Sequence, residues 1–178
     1  MKRISPTVRS KAKAIRLLLL DVDGVLTDGG IIIDDRGLET KRFDVRDGQG
    51  IALLQMVGID VGFITGRSSG VVRHRARELG VKHLYQGVKN KLDTYDAIKR
   101  RTRLGDRQIA YVGDDLGDVQ ILKRVGFSAT VPNAGPLIAR ATHYVTQAAG
   151  GYGAVREIAE LLLRAQNTWS KVLAKYFS

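Results

Sequence analysis

Two aspartates one residue apart, Asp21 and Asp23, close an apolar run in the segment IRLLLLDVDGVLTDGG. On an extended strand alternate residues point to the same side, so both carboxylates can reach one bound group while Val22 turns away. The pair suits phosphoryl transfer. A carboxylate is ionised at neutral pH and can attack phosphorus without a base, which leaves the second carboxyl for proton traffic. Two anions facing a phosphate repel, so the chemistry requires a cation between them, and oxygen ligands beside phosphate favour Mg²⁺. A second acidic group is therefore expected downstream. The segment IAYVGDDLGD supplies it, another apolar run ending in Asp114, Asp115 and Asp118. Between the two clusters, VGFITGR ends in Thr65, Gly66 and Arg67. The hydroxyl and the backbone N–H groups at Thr65 and Gly66 can donate to phosphate oxygens, as in an anion-binding nest at a helix start. Lys91, opening the helical segment KLDTYDAIKR after Asn90, adds a full positive charge.

The elements that must position these groups follow from the hydrophobic pattern. Short apolar runs at 16–22, 60–65, 83–86, 108–113, 127–131 and 143–146 read as strands. Helical stretches begin near 48, 69 and 91, and others fall near 116–124, 135–140 and 153–165. Strands alternating with helices predict an α/β fold, a doubly wound, Rossmann-like parallel sheet with helices on both faces. In such a sheet the strand ends converge at one crevice. Residues 28–45 break the alternation. There two extended runs joined by a turn at 34–37 predict a β-hairpin, with Asp28, Asp34 and Asp35 as turn residues. The segment AVREIAELLLRAQ has helical spacing through Val155, Ile158, Leu161 and Leu162.

At 178 residues and 44% apolar content the chain can bury one core without disulfides, and it has no cysteine, which excludes thiol catalysis and zinc–thiolate sites. The aliphatic stretch Leu17–Leu20 is too short to span a membrane, and the polar start lacks the apolar core of a signal peptide, so no membrane partner and a cytoplasmic location are expected. A formal charge of +11 raises nucleic acid as a partner. The basic runs at 2–16 and 99–107 have no interleaved aromatics for base stacking, which argues against it, and an anionic small substrate accounts for part of the charge. We expect residues 1–14 to form a flexible basic arm, 15–166 the catalytic domain, and 167–178 a tail or an extension of the preceding helix.

In order, DVDGVLT, ITGR, NKLD and GDDLGD match the motifs of the haloacid dehalogenase-like phosphatases, and the chain resembles that superfamily. Within it, FDVRDGQGI, HLYQGVKNKLD, the PLIARATHYVT region and GGYGAVREIAELLL make it similar to the 3-deoxy-D-manno-octulosonate 8-phosphate phosphatases. The resemblance implies an Mg²⁺-dependent phosphomonoesterase of the lipopolysaccharide sugar pathway. Asp21 would be the nucleophile and Asp23 the general acid and base, with Thr65, Gly66 and Lys91 on the phosphoryl group. Asp21, Asp114 and the Asp23 carbonyl would hold the metal, and Asp115 and Asp118 would orient that shell. It further implies substrate contacts from Asp44, Val45, Arg46, Asp47 and Gly48, a loop in this family, and from Arg67 and Arg75. Forked arginine donors suit the carboxylate of a sugar acid. The motif gaps leave no room for a cap domain, and the resembled capless enzymes cover their sites by oligomerising, so a homotetramer is expected. The related nonulosonate 9-phosphate phosphatases tend to differ at VRDG and TGR, which favours the octulosonate ester. A nonulosonate or broader sugar phosphatase and a non-catalytic assembly module are the alternatives.

Overall fold

The computed structural model describes residues 4–177. Its framework is a six-stranded parallel sheet with the order β5-β4-β1-β6-β7-β8. The strands are β1 (Leu17–Leu20), β4 (Asp60–Ile64), β5 (His83–Tyr85), β6 (Ile109–Val112), β7 (Phe127–Thr130) and β8 (Tyr144–Val145). Helices α2 (Val45–Met56), α3 (Gly70–Glu78) and α7 (Ala154–Ala165) cover one face; α4 (Lys91–Thr102), α5 (Val119–Leu122) and α6 (Gly135–Arg140) cover the other. The run of four leucines in β1 shows why both layers are needed. Leu18 and Leu20 enter the core beneath α2 and α7, whereas Leu17 and Leu19 pack with Tyr95 and Ile98 of α4. All four are fully buried, as a central parallel strand requires. The chain winds outward from β1 in both directions, through β4 to β5 and through β6 to β8, so the switch point of the fold lies at the carboxyl end of β1.

The expected hairpin is present as β2 (Ile32–Ile33) paired antiparallel with β3 (Glu39–Thr40). Asp34 Oδ1 accepts from the Arg36 and Leu38 N–H groups, and Gly37 takes the positive φ of 77° that closes the turn. Ile31, Ile32, Ile33 and Leu38 remain more than half exposed.

Three expectations need correction. Residues 6–12, placed within a flexible arm, form helix α1 (Pro6–Ala12). Ser5 caps it, Pro6 occupies its first turn, and Val8 and Ala12, four apart on one face, are buried against the α7 layer. Arg9 and Lys13 of the basic run that suggested an arm are exposed, and Met1–Arg3 lie outside the described residues. At the other end, α7 does not run on. Asn167 takes φ 56° and breaks it, and a separate helix α8 (Trp169–Phe177) follows, anchored by Val172 and by Trp169 under the Arg164 guanidinium. Third, Val45–Gly48 is the first turn of α2 rather than a loop, with Asp44 accepting from the Arg46 N–H as its cap. Gly50 allows α2 to pack closely on α7, since a Cβ there would lie 3.0 Å from Arg156 Cα.

Asp47 joins these helices. Its Oδ1 accepts from the Arg156 N–H at 2.7 Å and its Oδ2 from the Gly153 N–H at 3.3 Å, capping α7, whose own N-cap residue is a glycine. Burial pushes its pKa from 3.8 up to about 6 against those two hydrogen bonds. The folded state therefore holds this proton more tightly than the unfolded chain, and the stability Asp47 contributes falls as pH rises from about 4 to about 6. Asp47→Ala is expected to lose about 1–3 kcal/mol at pH 5, with the gap to wild type narrowing above pH 6. Urea unfolding of both proteins at pH 5 and pH 7.5 checks the sign, and a gap that widened with pH would refute it.

Candidate active site

The carboxyl ends of β1, β4 and β6 open into a cleft of about 530 Å³, lined by Asp21, Asp23, Thr65, Gly66, Arg67, Lys91, Asp114, Asp115, Gly117, Asn133 and Ala134. Asp21 is the first residue after β1, and its N–H donates to the Val112 carbonyl of β6, which fixes its backbone. Its Oδ1 accepts from the Val22 N–H at 2.7 Å and its Oδ2 lies 2.9 Å from Lys91 Nζ. The chain then turns tightly: the Val22 carbonyl accepts from the N–H groups of Val25, Leu26 and Thr27, and Thr27 Oγ1 accepts from those of Gly24 and Gly29. This knot aims the Asp23 carboxyl at the cleft. Gly24 sits at φ 89°, and any Cβ there would collide with the Asp114 carboxylate, so glycine is required for the close approach of the two acidic loops.

Lys91 opens α4 behind the Asn90 cap and bridges two carboxylates, Asp21 and Asp118 Oδ1, the latter at 2.6 Å. Burial works against its charge, but those neighbours outweigh it and hold its pKa above the ordinary lysine value. Asp118 is fully buried and also accepts from the Tyr111 hydroxyl at 2.6 Å and from the N–H groups of Asp114 and Asp115 at 3.0 and 3.2 Å. Four donors saturate it. Its place is beneath the site, where it sets the Asp114–Asp115 backbone and the lysine. Asp115 is exposed and caps the short turn at Leu116.

The same geometry shows a deficit of positive charge. Ligand oxygens of Asp21, Asp114 and Asp118 lie within 4.8 Å of one another. Burial, with the Asp118 charge adding to it, pushes the pKa of Asp21 up to about 7 and that of Asp114 up to about 6, with Lys91 opposing in both cases. Asp114 Oδ1 is buried with no hydrogen-bond partner. A hard divalent cation satisfies all three observations, since it supplies the missing charge and takes the orphaned oxygen as a ligand.

The other expected residues divide. Thr65 and Gly66 line the cleft, but the Thr65 N–H donates to the Tyr85 carbonyl of β5, leaving the Thr65 hydroxyl and the Gly66 N–H as the donors toward a phosphate. They lie on a loop before the Ser69 cap of α3, not at that helix's start. Arg67 reaches the cleft beside Asp23 and Glu39. Asp44, Val45, Arg46, Asp47, Gly48 and Arg75 do not line the cleft of their own chain. Asp47 is spent on α7, and Arg46 pairs with Asp44 and donates to the Tyr152 carbonyl. Arg75 pairs with Glu78 beside Gly48. Sequence reasoning missed Asn133, which bridges the Gly24 carbonyl and the Gly150 N–H. It follows β7, so the strand-end rule could have found it. It also missed Lys41, whose ammonium is buried against Asp23 and Glu39 at the root of the hairpin.

Residues 84–158 match the haloacid dehalogenase-like hydrolase family. Over 92% of its length the chain is 48% identical to the 3-deoxy-D-manno-octulosonate 8-phosphate phosphatase KdsC of Salmonella typhimurium and 45% identical to that of Yersinia pestis, spanning 87% and 88% of those proteins. Among solved structures it is similar to a probable YrbI family phosphatase from Pseudomonas syringae, with a TM-score of 0.96 and 41% identity over 98% of this chain and 99% of that one. It is also similar, at a TM-score of 0.93 and 42% identity over 95% of this chain and 97% of that one, to the octulosonate phosphatase of Moraxella catarrhalis in complex with magnesium, phosphate and a KDO molecule.

Proposed function

Because the chain belongs to the haloacid dehalogenase-like hydrolases, among the 3-deoxy-D-manno-octulosonate 8-phosphate phosphatases, we propose that its cleft hydrolyses that ester to the free sugar acid and phosphate, a step in lipopolysaccharide precursor synthesis. The observation that carries this reading is the convergence of Asp21, Asp23, Thr65, Lys91 and Asp114 on one cleft at the switch point of a chain so close in sequence to enzymes of that name.

A carboxylate oxygen of Asp21 attacks phosphorus in line, and the bond to the sugar oxygen breaks as Asp23 delivers a proton to that oxygen. Water then attacks the aspartyl-phosphate, Asp23 takes its proton, and inorganic phosphate leaves with the Asp21 carboxylate restored. The Thr65 hydroxyl, the Gly66 N–H and Lys91 hold the phosphoryl oxygens as charge develops on them. Asp21, Asp114 and the Asp23 carbonyl would hold Mg²⁺, with Asp115 and Asp118 ordering that shell. When bound, the ion neutralises charge between the carboxylates and the phosphoryl group. Arg67, at the cleft rim, is the forked donor for the substrate carboxylate.

A panel of the octulosonate 8-phosphate, nonulosonate 9-phosphates and simple sugar phosphates, assayed for phosphate release with Mg²⁺ and with EDTA, tests the assignment. The octulosonate ester is expected to have the highest kcat/KM and EDTA to abolish turnover. Equal rates across the panel would move the assignment to a broad sugar phosphatase, and no release at all to an assembly module.

The cleft is open in the single chain, and the exposed isoleucines of the hairpin offer an apolar surface beside it. A homotetramer in which hairpins pack together and a neighbour covers the cleft accounts for both, and it gives Arg46 and Arg75 a route to a neighbour's substrate. Light scattering is expected to give four times the chain mass, and a monomer would refute this assembly. Among the described residues no helix is long and apolar enough to cross a membrane.

A further inference from the structure

Lysine is almost never buried unless paired. The Lys41 side chain is 1% exposed, although it follows β3 in a hairpin that is otherwise open to solvent. Its ammonium donates to Asp23 Oδ1 and lies 3.2 Å from Glu39 Oε1. Stability does not explain this choice, because an apolar side chain of similar volume in such a place is often neutral or stabilising relative to a buried ion pair. Charge balance calls for a second cation but not for a buried one. Arg67 stands on the other side, its Nε 3.9 Å from Asp23 Oδ2 and its Nη2 3.2 Å from Glu39, and it supplies its charge from a half-exposed position. What sets Lys41 apart from the half-exposed Arg67 is fixity. A buried ammonium held at two points can hold one oxygen of Asp23 while the other remains open to the cleft.

We propose that Lys41 is a positioning residue for proton transfer, anchoring Asp23 Oδ1 so that Oδ2 faces the leaving oxygen, with Glu39 as the anchor of Lys41. This role rests on the phosphatase reading of the cleft. It makes the hairpin a working part of the site, since β3 carries Glu39 and leads directly into Lys41.

The leaving group separates positioning from structure. A sugar alkoxide needs a proton to depart, whereas p-nitrophenolate does not. In Lys41→Met, kcat for the octulosonate ester is expected to fall about 10- to 100-fold with KM within about 3-fold, the range of a displaced general acid. The initial burst of p-nitrophenolate from p-nitrophenyl phosphate is expected to stay within about 3-fold of wild type, while its steady-state turnover falls, because hydrolysis of the aspartyl-phosphate still needs Asp23 as base. Equal loss of burst rate and octulosonate turnover, unchanged kcat, or a rise in KM alone would overturn the proposal. Should Lys41→Met fail to fold, Glu39→Gln decides: a smaller loss, about 3- to 10-fold and again confined to the steps that move a proton, supports the role, and equal loss on both esters overturns it. Wild type is measured alongside on both esters. An inactive parent would overturn the phosphatase reading and this proposal together, whereas an active parent whose variants lose both esters equally overturns this proposal alone.

Discussion

Asp21→Asn is expected to lower turnover by about 10⁴-fold or more while leaving the fold intact. The amide is not a nucleophile, and nothing else at the carboxyl end of β1 stands in its place, because Asp23 is held by Lys41 and Asp114 follows a different strand. The fold survives for electrostatic reasons. Asp21 is buried beside Asp118, with burial and that neighbour pushing its pKa to about 7, so removing its charge relieves a strain that Lys91 offsets only in part. Lys91 keeps Asp118 as its partner. The melting temperature without metal should therefore be unchanged or higher. Acid quenching after reaction with a ³²P-labelled ester should trap label on wild type and none on the variant. Wild-type turnover in Asp21→Asn would rule out the covalent route.

The second large effect concerns a residue that does no chemistry. Asp118→Ala is expected to cost about 3–5 kcal/mol of stability with Mg²⁺ present, as for other buried charges stripped of a partner. Its loss strands the Tyr111 hydroxyl, two backbone N–H groups and half of the Lys91 ion pair at once. Without Mg²⁺ the cost should be smaller, because removing one of three clustered carboxylates relieves repulsion that the ion would otherwise neutralise. Activity should fall with the misplacement of Lys91 and Asp114, and excess Mg²⁺ should not restore it. Urea unfolding with and without Mg²⁺ measures both terms. A variant within 1 kcal/mol of wild type in both conditions would show that the four-donor network has no structural role.

Much of this was legible in the chain because parallel strands announce themselves. A buried strand is a short apolar run, and the one or two residues after it face the crevice, so Asp21, Thr65 and Asp114 could be placed from local sequence alone. Lys91 was legible through its cap, Asn90. What was hidden depended on contacts between distant segments. Asp47 sits in a motif that suggests substrate binding, and only the approach of α7 turns its carboxylate inward. Lys41 is one lysine among 29 basic residues, and its burial depends on the hairpin folding back over Asp23. Helix α1 was masked by its charge, although its serine cap, proline and spaced apolar pair were all present.

The central position of β1 carries a cost in time as well as a benefit in geometry. Leu17–Leu20 leaves the ribosome before either neighbour, since its partner on one side begins at Asp60 and on the other at Ile109. Until synthesis has passed Ile109, four consecutive leucines lack the strand that covers one of their edges, and long-range parallel pairing of this kind is slow and prone to aggregation. Among the site residues the nucleophile is thus synthesised first, yet it is set in place only when β6 has paired. Recovery of activity during refolding would mark the closing of the sheet, and the segment most in need of a chaperone is the one that delivers Asp21 and Asp23.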